Sequence, residues 1–491
     1  MTEFARLLAT PERRFAALAG ALMILRIAAL VFGDAGLGPD EGQYWFWSKT
    51  PDFGYYSKPP LIAWSIAVTT ALFGDAEWAV RLAAPFYHLG AAIFLFLLAR
   101  RIAGPREAFW AGAAWLTLPG VFLSSTLITT DAPLMFFWSA AVYFFFLATD
   151  REDEKRGRWA ALLGAAIGLG FLAKYAMSYF LISAALALLL SPQRRSALRP
   201  TDGAIAAIIA AIFITPNVMW NARNDFQTLA HTAANANWSG DFGHPAALMK
   251  FLGDQFAIAG PILLALICLA VLFGRRAGDE TRRDDMQTLL LLAAPALIIV
   301  ALQSFISRAH GNWAAAAYPS AIAMAAIWAL RDKRSLFAFK AGLAAHLAIG
   351  LGFLFAFTNA GFAEAVGADR AFKPLRGWDE IGARIKAASV GYDAIMTDDR
   401  EITGELVYYA RNSAPIVAWN SNNRIDNHFE AFNAYDPARD KRVLYVTENG
   451  DAAPVKERFR AITPLETVSV RTSRRAERTV HLFEVSGFIA E

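Results

Sequence analysis

Residues 15–32 read FAALAGALMILRIAALVF, and residues 33–47 continue GDAGLGPDEGQYWFW. Crossing about 30 Å of hydrocarbon at about 1.5 Å per residue takes roughly 20 mostly apolar residues. The first stretch is of that length, and the second sets an acidic pair, Asp40-Glu41, just past its end among aromatic side chains. The apolar stretch lacks a small-residue cleavage site before the acidic loop, so it reads as a retained first span and not as a removed signal peptide.

The rest of the chain repeats this pattern. Of 491 residues, 56% are hydrophobic and only 18% charged, a balance outside the usual range for a soluble enzyme. Further apolar spans read from Ala79 to Ala99, Ala108 to Phe122, Pro133 to Ala148, Trp159 to Ala173, Tyr179 to Leu190, Gly203 to Met219, Phe251 to Phe273, Gln287 to Phe305, Ala314 to Leu330 and Ala341 to Phe357. With the first, that is about eleven.

Loop charge sets orientation, because Lys and Arg are retained on the cytoplasmic side. One alternating set of loops carries Arg13, Arg14, Arg100, Arg101, Arg106, Arg151, Lys155, Arg156, Arg158, Arg194, Arg195, Arg199, Arg275, Arg276, Arg282, Arg283, Arg331, Lys333, Arg334 and Lys340. The other holds mainly Lys49, Lys58, Lys174, Arg223 and Arg308, roughly twenty against five. The N-terminus is therefore expected in the cytoplasm, with the acidic loop and the tail after Phe357 on the opposite face. The net charge of +4 belongs to cytoplasmic loops and not to a nucleic-acid surface. The single Cys268 lies in an apolar span and excludes an internal disulfide or a cysteine metal cluster.

From about Lys373 the composition changes. Short β-rich runs at Ala394 to Thr397, Ile416 to Trp419, Val443 to Thr447 and Thr479 to Val485 alternate with helix-like stretches, and Arg376 to Ala388 has an amphipathic pattern. The expected architecture is a membrane domain over 1–358 and a small soluble α/β domain over 359–491. Two outward loops exceed simple connectors. The first, 33–78, contains the short apolar run Leu61 to Phe73, which suggests a helix lying along the interface. The second, 220–250, contains Arg223, His231, Trp238 and His244.

Four elements at outward span ends carry chemistry. Asp40 and Glu41 sit where an apolar aromatic setting could raise a carboxylate pKa and make a base, although helix capping also suits an acidic pair there. Tyr55-Tyr56-Ser57-Lys58-Pro59-Pro60 fixes a cation ahead of two prolines, suited to a phosphate; snorkelling to lipid headgroups is the plainer role. Asp131, in Thr129-Thr130-Asp131-Ala132-Pro133, is an acid at a span boundary that is expensive to bury unless paired, and it could also simply cap a helix. Arg308-Ala309-His310-Gly311-Asn312-Trp313 offers Arg308 and His310 to an anionic leaving group, with Trp313 fitting the aromatic belt.

In order and placement these elements resemble the GT-C glycosyltransferases, specifically the bacterial branch related to protein O-mannosyltransferases and the lipid A aminoarabinose transferase (families 39 and 83). That branch carries an Asp-Glu motif after the first span, Lys-Pro-Pro roughly 15 to 20 residues later and Asp-Ala-Pro after the third span. Pro216-Asn217-Val218-Met219-Trp220-Asn221, Gly253-Asp254-Gln255 and the His310-to-Trp313 element extend the similarity to about Leu330. The resemblance implies a GT-C fold of about 11–13 spans and a sugar donor on polyprenyl phosphate. It further implies an acceptor that is a glycan, lipid or protein, and transfer at the periplasmic face of a bacterial inner membrane. Asp40 would be the base of an inverting displacement, supported by Glu41 and Asp131, with Lys58, Arg308 and His310 on the donor phosphate. Gln43, Tyr56 and His231 are further candidates.

Two positions depart from the pattern: Ser57 stands where relatives carry an acidic residue linked to metal binding, and Gln43 where they often carry arginine. With Ser57 there, a divalent metal is possible but not predicted, and no other cofactor is assigned. The alternative from another class is a transporter or flippase of polyprenyl-linked glycans. Such proteins bind near the midplane through broken helices and repeats, whereas here the charges gather at span ends, Lys174 being ambiguous.

Overall fold

Proline and glycine decide which of the expected spans are continuous. In the computed structural model, which describes residues 9–237, 243–274, 279–422, 424–474 and 476–490, six helices are long and apolar enough to cross a membrane. They are Pro11–Val31, Glu77–Ala103, Asp131–Ala148, Pro200–Arg223, Glu280–Ile306 and Lys333–Thr358. They correspond to six of the eleven stretches read from sequence, and the other five arrive differently. The stretch 251–273 is a bent pair, Pro245–Ala259 and Pro261–Phe273, turning by 105°. Its corner is Gly260, at φ +73° with His346 so close that a Cβ would lie 2.0 Å from its Nε2; Pro261 then starts the next helix. Pro119 likewise splits 108–122 into Pro105–Thr117 and Pro119–Ser124. Tyr318–Ala329 is short because Gly311–Ala317 winds as a 3-10 turn, and Arg156–Ala173 is parted from Ser178–Leu190 by extended backbone at Lys174. A hydropathy window counts apolar residues and is blind to the breaks at Gly260, Pro119 and Gly311, whereas the one around Lys174 coincides with the gap between two expected spans.

The chain divides into two compact units, one of Met1–Ala28, Lys58–Ile62 and Arg81–Leu354, the other of Ala29–Ser57, Ala63–Val80 and Phe355–Glu491. In the first, helices meet through small residues, as helices in lipid do when no hydrophobic effect drives them together. A Cβ on Gly164 would lie 2.3 Å from the Ala206 carbonyl, and one on Gly168 2.6 Å from Phe213 Cβ. Ile208, Ile212, Leu272 and Phe337 point outward and are exposed, as side chains facing lipid are. Arg26, buried in the first helix, donates from Nη2 to the Leu116 carbonyl at 2.6 Å, which meets part of the cost of a charge at that depth.

The second unit holds a five-stranded mixed sheet in the order β2-β1-β3-β5-β4. Its strands are β1 (Ala394–Thr397), β2 (Ile416–Ala418), β3 (Arg442–Thr447), β4 (Phe459–Ser473) and β5 (Ala476–Phe488). β1 pairs parallel with β2 and β3, while β5 runs antiparallel to β3 and β4. The expected amphipathic helix forms as Trp378–Ala388 and packs Ile381 and Ile385 with Ile402, Leu406, Leu444 and Val468. Met396, Trp419, Tyr445 and Phe483 belong to a second cluster. Because the chain leaves β1 for β2 on one side and returns to β3 on the other, the carboxyl end of β1 is a topological switch point, where α/β sheets place their ligand-binding loops. Asp398, Asp399 and Arg400 follow it directly.

Candidate functional site

The acidic motif folds onto the sheet domain, within the second unit. Helix Pro39–Ser48 starts at Gly38 with Pro39 in its first turn, and both motif carboxylates lie in that turn, where the helix dipole favours them. Glu41 is buried at 4% exposure and accepts from the Gly38 N–H at 2.9 Å, the reach-back of a capping carboxylate. Asp40 has a side chain 60% exposed. Its Oδ1 accepts from Arg400 Nη1 at 2.8 Å, and the same nitrogen lies 3.3 Å from Gln43 Oε1 one turn further on.

Arg400 opens helix Arg400–Tyr409, whose start is capped by Asp399 accepting from the N–H groups of Glu401 and Ile402 at 2.7 and 3.0 Å. Burial works against the guanidinium's charge, but Asp40, Tyr44 and Glu401 outweigh it and hold the pKa above its ordinary value. The two helices touch backbone to backbone: a Cβ on Gly42 would sit 2.0 Å from the Gly404 carbonyl oxygen, and one on Gly404 2.5 Å from that of Pro39. The far end of the helix holds the loop as well. Tyr409 Oη accepts from the Leu37 N–H at 2.6 Å and donates to Glu77 at 2.5 Å, and Tyr408 donates to the Asp75 carbonyl at 2.6 Å. Burial, reinforced by Glu77, pushes the Tyr409 phenol far above its usual range, so it stays protonated. Asp75 in turn accepts from Trp45 Nε1 at 2.8 Å and pairs with Lys49. Tyr56 donates to the Ile425 carbonyl at 2.7 Å. His428 sits edge-on to Trp47, its ring centroid 5.1 Å away, and burial pushes its pKa down to about 3.

The first unit carries a second cluster. Asp131 begins helix Asp131–Ala148 without capping it: Oδ1 pairs with Lys174 Nζ at 2.6 Å and Oδ2 accepts from Asn312 Nδ2 at 2.7 Å. One carboxylate thus ties together a helix start, the break at Lys174 and the Gly311–Ala317 turn. Gly311 is needed there, since a Cβ would lie 2.6 Å from Asp254 Cβ. Gln255 beside it donates to the Gly311 carbonyl at 3.3 Å and accepts from Tyr318 at 2.8 Å. Tyr175 donates to Asn217 at 2.8 Å and accepts from Asn221 at 3.1 Å. The elements around Asn217, Asp254 and Asn312 are therefore linked by contacts to their neighbours in one unit.

Of the remaining predicted residues, Lys58 is half-buried ahead of Pro59 and Pro60, Arg308 and His310 are exposed, and His231 is half-buried on helix Gln227–Ala234. The His310 ring faces Trp313 edge-on at 5.4 Å. Trp238, Arg275 and Arg276 lie outside the described residues. Among the described residues, no three His, Cys, Asp or Glu side chains are grouped to hold a metal ion. Reading the sequence missed Arg400, which is 360 positions from Asp40; the one available signal was its place just after the strand Ala394–Thr397.

The family profile for dolichyl-phosphate-mannose-protein mannosyltransferases matches residues 57–220. The chain is 36% identical over 397 residues to the lipid A galacturonosyltransferase RgtD of Rhizobium johnstonii, covering 79% of this chain and 81% of that one. It is 25% identical over 284 residues to the lipopolysaccharide core galacturonosyltransferase RgtA of the same organism, covering 56% of each. The crystal structure of ArnT from Cupriavidus metallidurans bound to undecaprenyl phosphate superposes with a TM-score of 0.70 at 16% identity, over 95% of this chain and 97% of that one. A multi-span helical unit joined to a mixed-sheet domain, with these similarities, defines a membrane-embedded glycosyltransferase. The chain belongs to the GT-C glycosyltransferases of the protein-mannosyltransferase family, as a relative of RgtD and ArnT.

Proposed function

We propose that the protein transfers a uronic acid, in the first instance galacturonic acid, from a polyprenyl phosphate to lipid A or the lipopolysaccharide core at the periplasmic face of the inner membrane. The observation that carries this is the 36% identity with the lipid A galacturonosyltransferase, which spans four fifths of both chains. The match to RgtA adds a second galacturonosyltransferase, and the ArnT fold is one that accommodates undecaprenyl phosphate.

In this reading Asp40 takes the proton from the acceptor hydroxyl as its oxygen forms a bond to the anomeric carbon. The bond from that carbon to the phosphate oxygen breaks with inversion, and polyprenyl phosphate leaves as a monoester. Charge develops on that phosphate, and Lys58 and Arg308 are the cations assigned to it, with His310 as a supporting donor. Asp131 positions Lys174 and Asn312. Glu41, occupied with the helix start, is a structural support for Asp40 and not a second base. Gln43 and Tyr56 hold the loop, and His231 has no assigned step.

Mass spectrometry of glycolipids from a deletion strain and its parent tests the substrate. The parent's lipid A or core should carry a uronic acid, an added mass of about 176 Da, that the deletion strain lacks. A missing pentosamine or neutral hexose would refute the uronic acid assignment. Purified protein that moved lipid-linked sugar across liposomes without forming a glycosidic bond would favour the transporter instead.

A further inference from the structure

Helix Arg400–Tyr409 contacts the motif loop along its whole length: Arg400 on Asp40 and Gln43 at one end, Gly404 on Pro39 and Gly42 in the middle, Tyr408 and Tyr409 on Asp75, Glu77 and Leu37 at the other. A helix that only covered the loop would need apolar contact. This one instead delivers a guanidinium to one oxygen of the most exposed carboxylate in the motif. The other oxygen, Oδ2, has no partner among the described residues, so the pairing holds the carboxylate through Oδ1 and leaves Oδ2 to accept a proton. Gln43 Oε1 shares the same Nη1 and steadies the guanidinium from one turn along the motif helix.

We infer that Arg400 is a positioning residue for the proton acceptor Asp40, and that the C-terminal sheet domain is thereby a working part of the transferase site. The inference rests on the reading of Asp40 as base. Arg400 sets its positive charge against Oδ1 and so turns Oδ2 away, free to meet the acceptor. The charged and titratable groups facing this pair are Tyr44 on the motif helix and Glu401 on the C-terminal helix; neither supplies a second cation. Arginine suits the role because one guanidinium nitrogen can donate to both Asp40 and Gln43 while keeping its charge at any working pH.

The test uses the full-length protein reconstituted in liposomes with polyprenyl-phosphate sugar and lipid acceptor. Arg400→Ala should lower kcat by about tenfold or more with little change in KM for the donor. Arg400→Lys should recover part of kcat, since it returns the charge. In an Asp40→Asn background, Arg400→Ala should cause no further loss. Thermal unfolding of each variant controls for folding. Wild-type kcat in Arg400→Ala would overturn the inference, as would a loss that falls on donor KM and that lysine does not rescue. Full activity in Asp40→Asn would instead overturn the underlying assignment of the base, which separates the two failures.

Discussion

Gly42→Ala adds one methyl group at the point where the motif helix crosses the C-terminal helix. The new Cβ would lie 2.0 Å from the Gly404 carbonyl oxygen, whereas ordinary contact begins at 3.4 Å. Relief therefore needs about 1.4 Å of separation between two backbones, since neither partner is a flexible side-chain end. Asp40 and Arg400 sit about one turn from this contact, and their 2.8 Å hydrogen bond would open to about 4 Å if the helices part evenly. A charged hydrogen bond contributes about 1.5 to 3 kcal/mol, discounted toward the lower end because Asp40 is 60% exposed. A misplacement of about 1 Å in a catalytic group costs up to about 100-fold. The expected result is a kcat lowered by about 10- to 100-fold in reconstituted protein, with donor KM within about twofold. Gly404→Ala, whose Cβ meets the Pro39 oxygen at 2.5 Å, should give a smaller loss of the same kind. Wild-type kcat in Gly42→Ala, in protein whose melting temperature has not changed, would refute the claim that this helix crossing sets the catalytic geometry.

Other consequences are separable from that one. Lys58→Ala should raise the donor KM by about tenfold through loss of a charge-assisted phosphate contact, measured by varying polyprenyl-phosphate sugar at fixed acceptor; unchanged donor dependence would remove Lys58 from the phosphate. Lys174→Met leaves Asp131 with Asn312 alone and should lower melting temperature and activity together, whereas Lys174→Met with Asp131→Asn should recover part of the stability, because the pair and not either charge is what the fold tolerates. His428 has its folded pKa depressed to about 3 by burial, against about 6.5 in the unfolded chain. Its contribution is therefore present above about pH 6.5 and is lost as pH falls toward 3, at about 1.4 kcal/mol per pH unit. Between pH 7.5 and 5.5 the wild-type melting temperature should fall more than that of His428→Phe, and equal falls would contradict the burial argument.

The membrane class, the helical motif loop and the C-terminal strands were legible from sequence because each rests on local periodicity or composition. Breaks in the spans were less so: Gly260-Pro261 and Pro119 are visible as residues, but the 105° turn depends on His346 packed against Gly260. The site followed the same division. Asp40, Glu41 and Asp131 stand out as acids at span ends, but their roles come from partners distant in the chain. Glu41 is turned to the Gly38 N–H, Asp131 to Lys174 and Asn312, and Asp40 to Arg400. Arg400 lies in a stretch whose composition marks only a soluble helix, so nothing short of the fold itself assigns it to the motif. Gln43 shows the same limit, since its side chain acquires meaning only when Arg400 arrives beside it.

In the proposed mechanism Asp40 removes the acceptor proton during glycosyl transfer. Its most direct test is transfer of radiolabelled sugar from polyprenyl phosphate to lipid acceptor by purified, reconstituted Asp40→Asn, compared with wild type at equal membrane insertion. Donor binding should stay at the wild-type level while transfer falls by at least about a thousandfold; transfer within about tenfold of wild type would rule Asp40 out as the base.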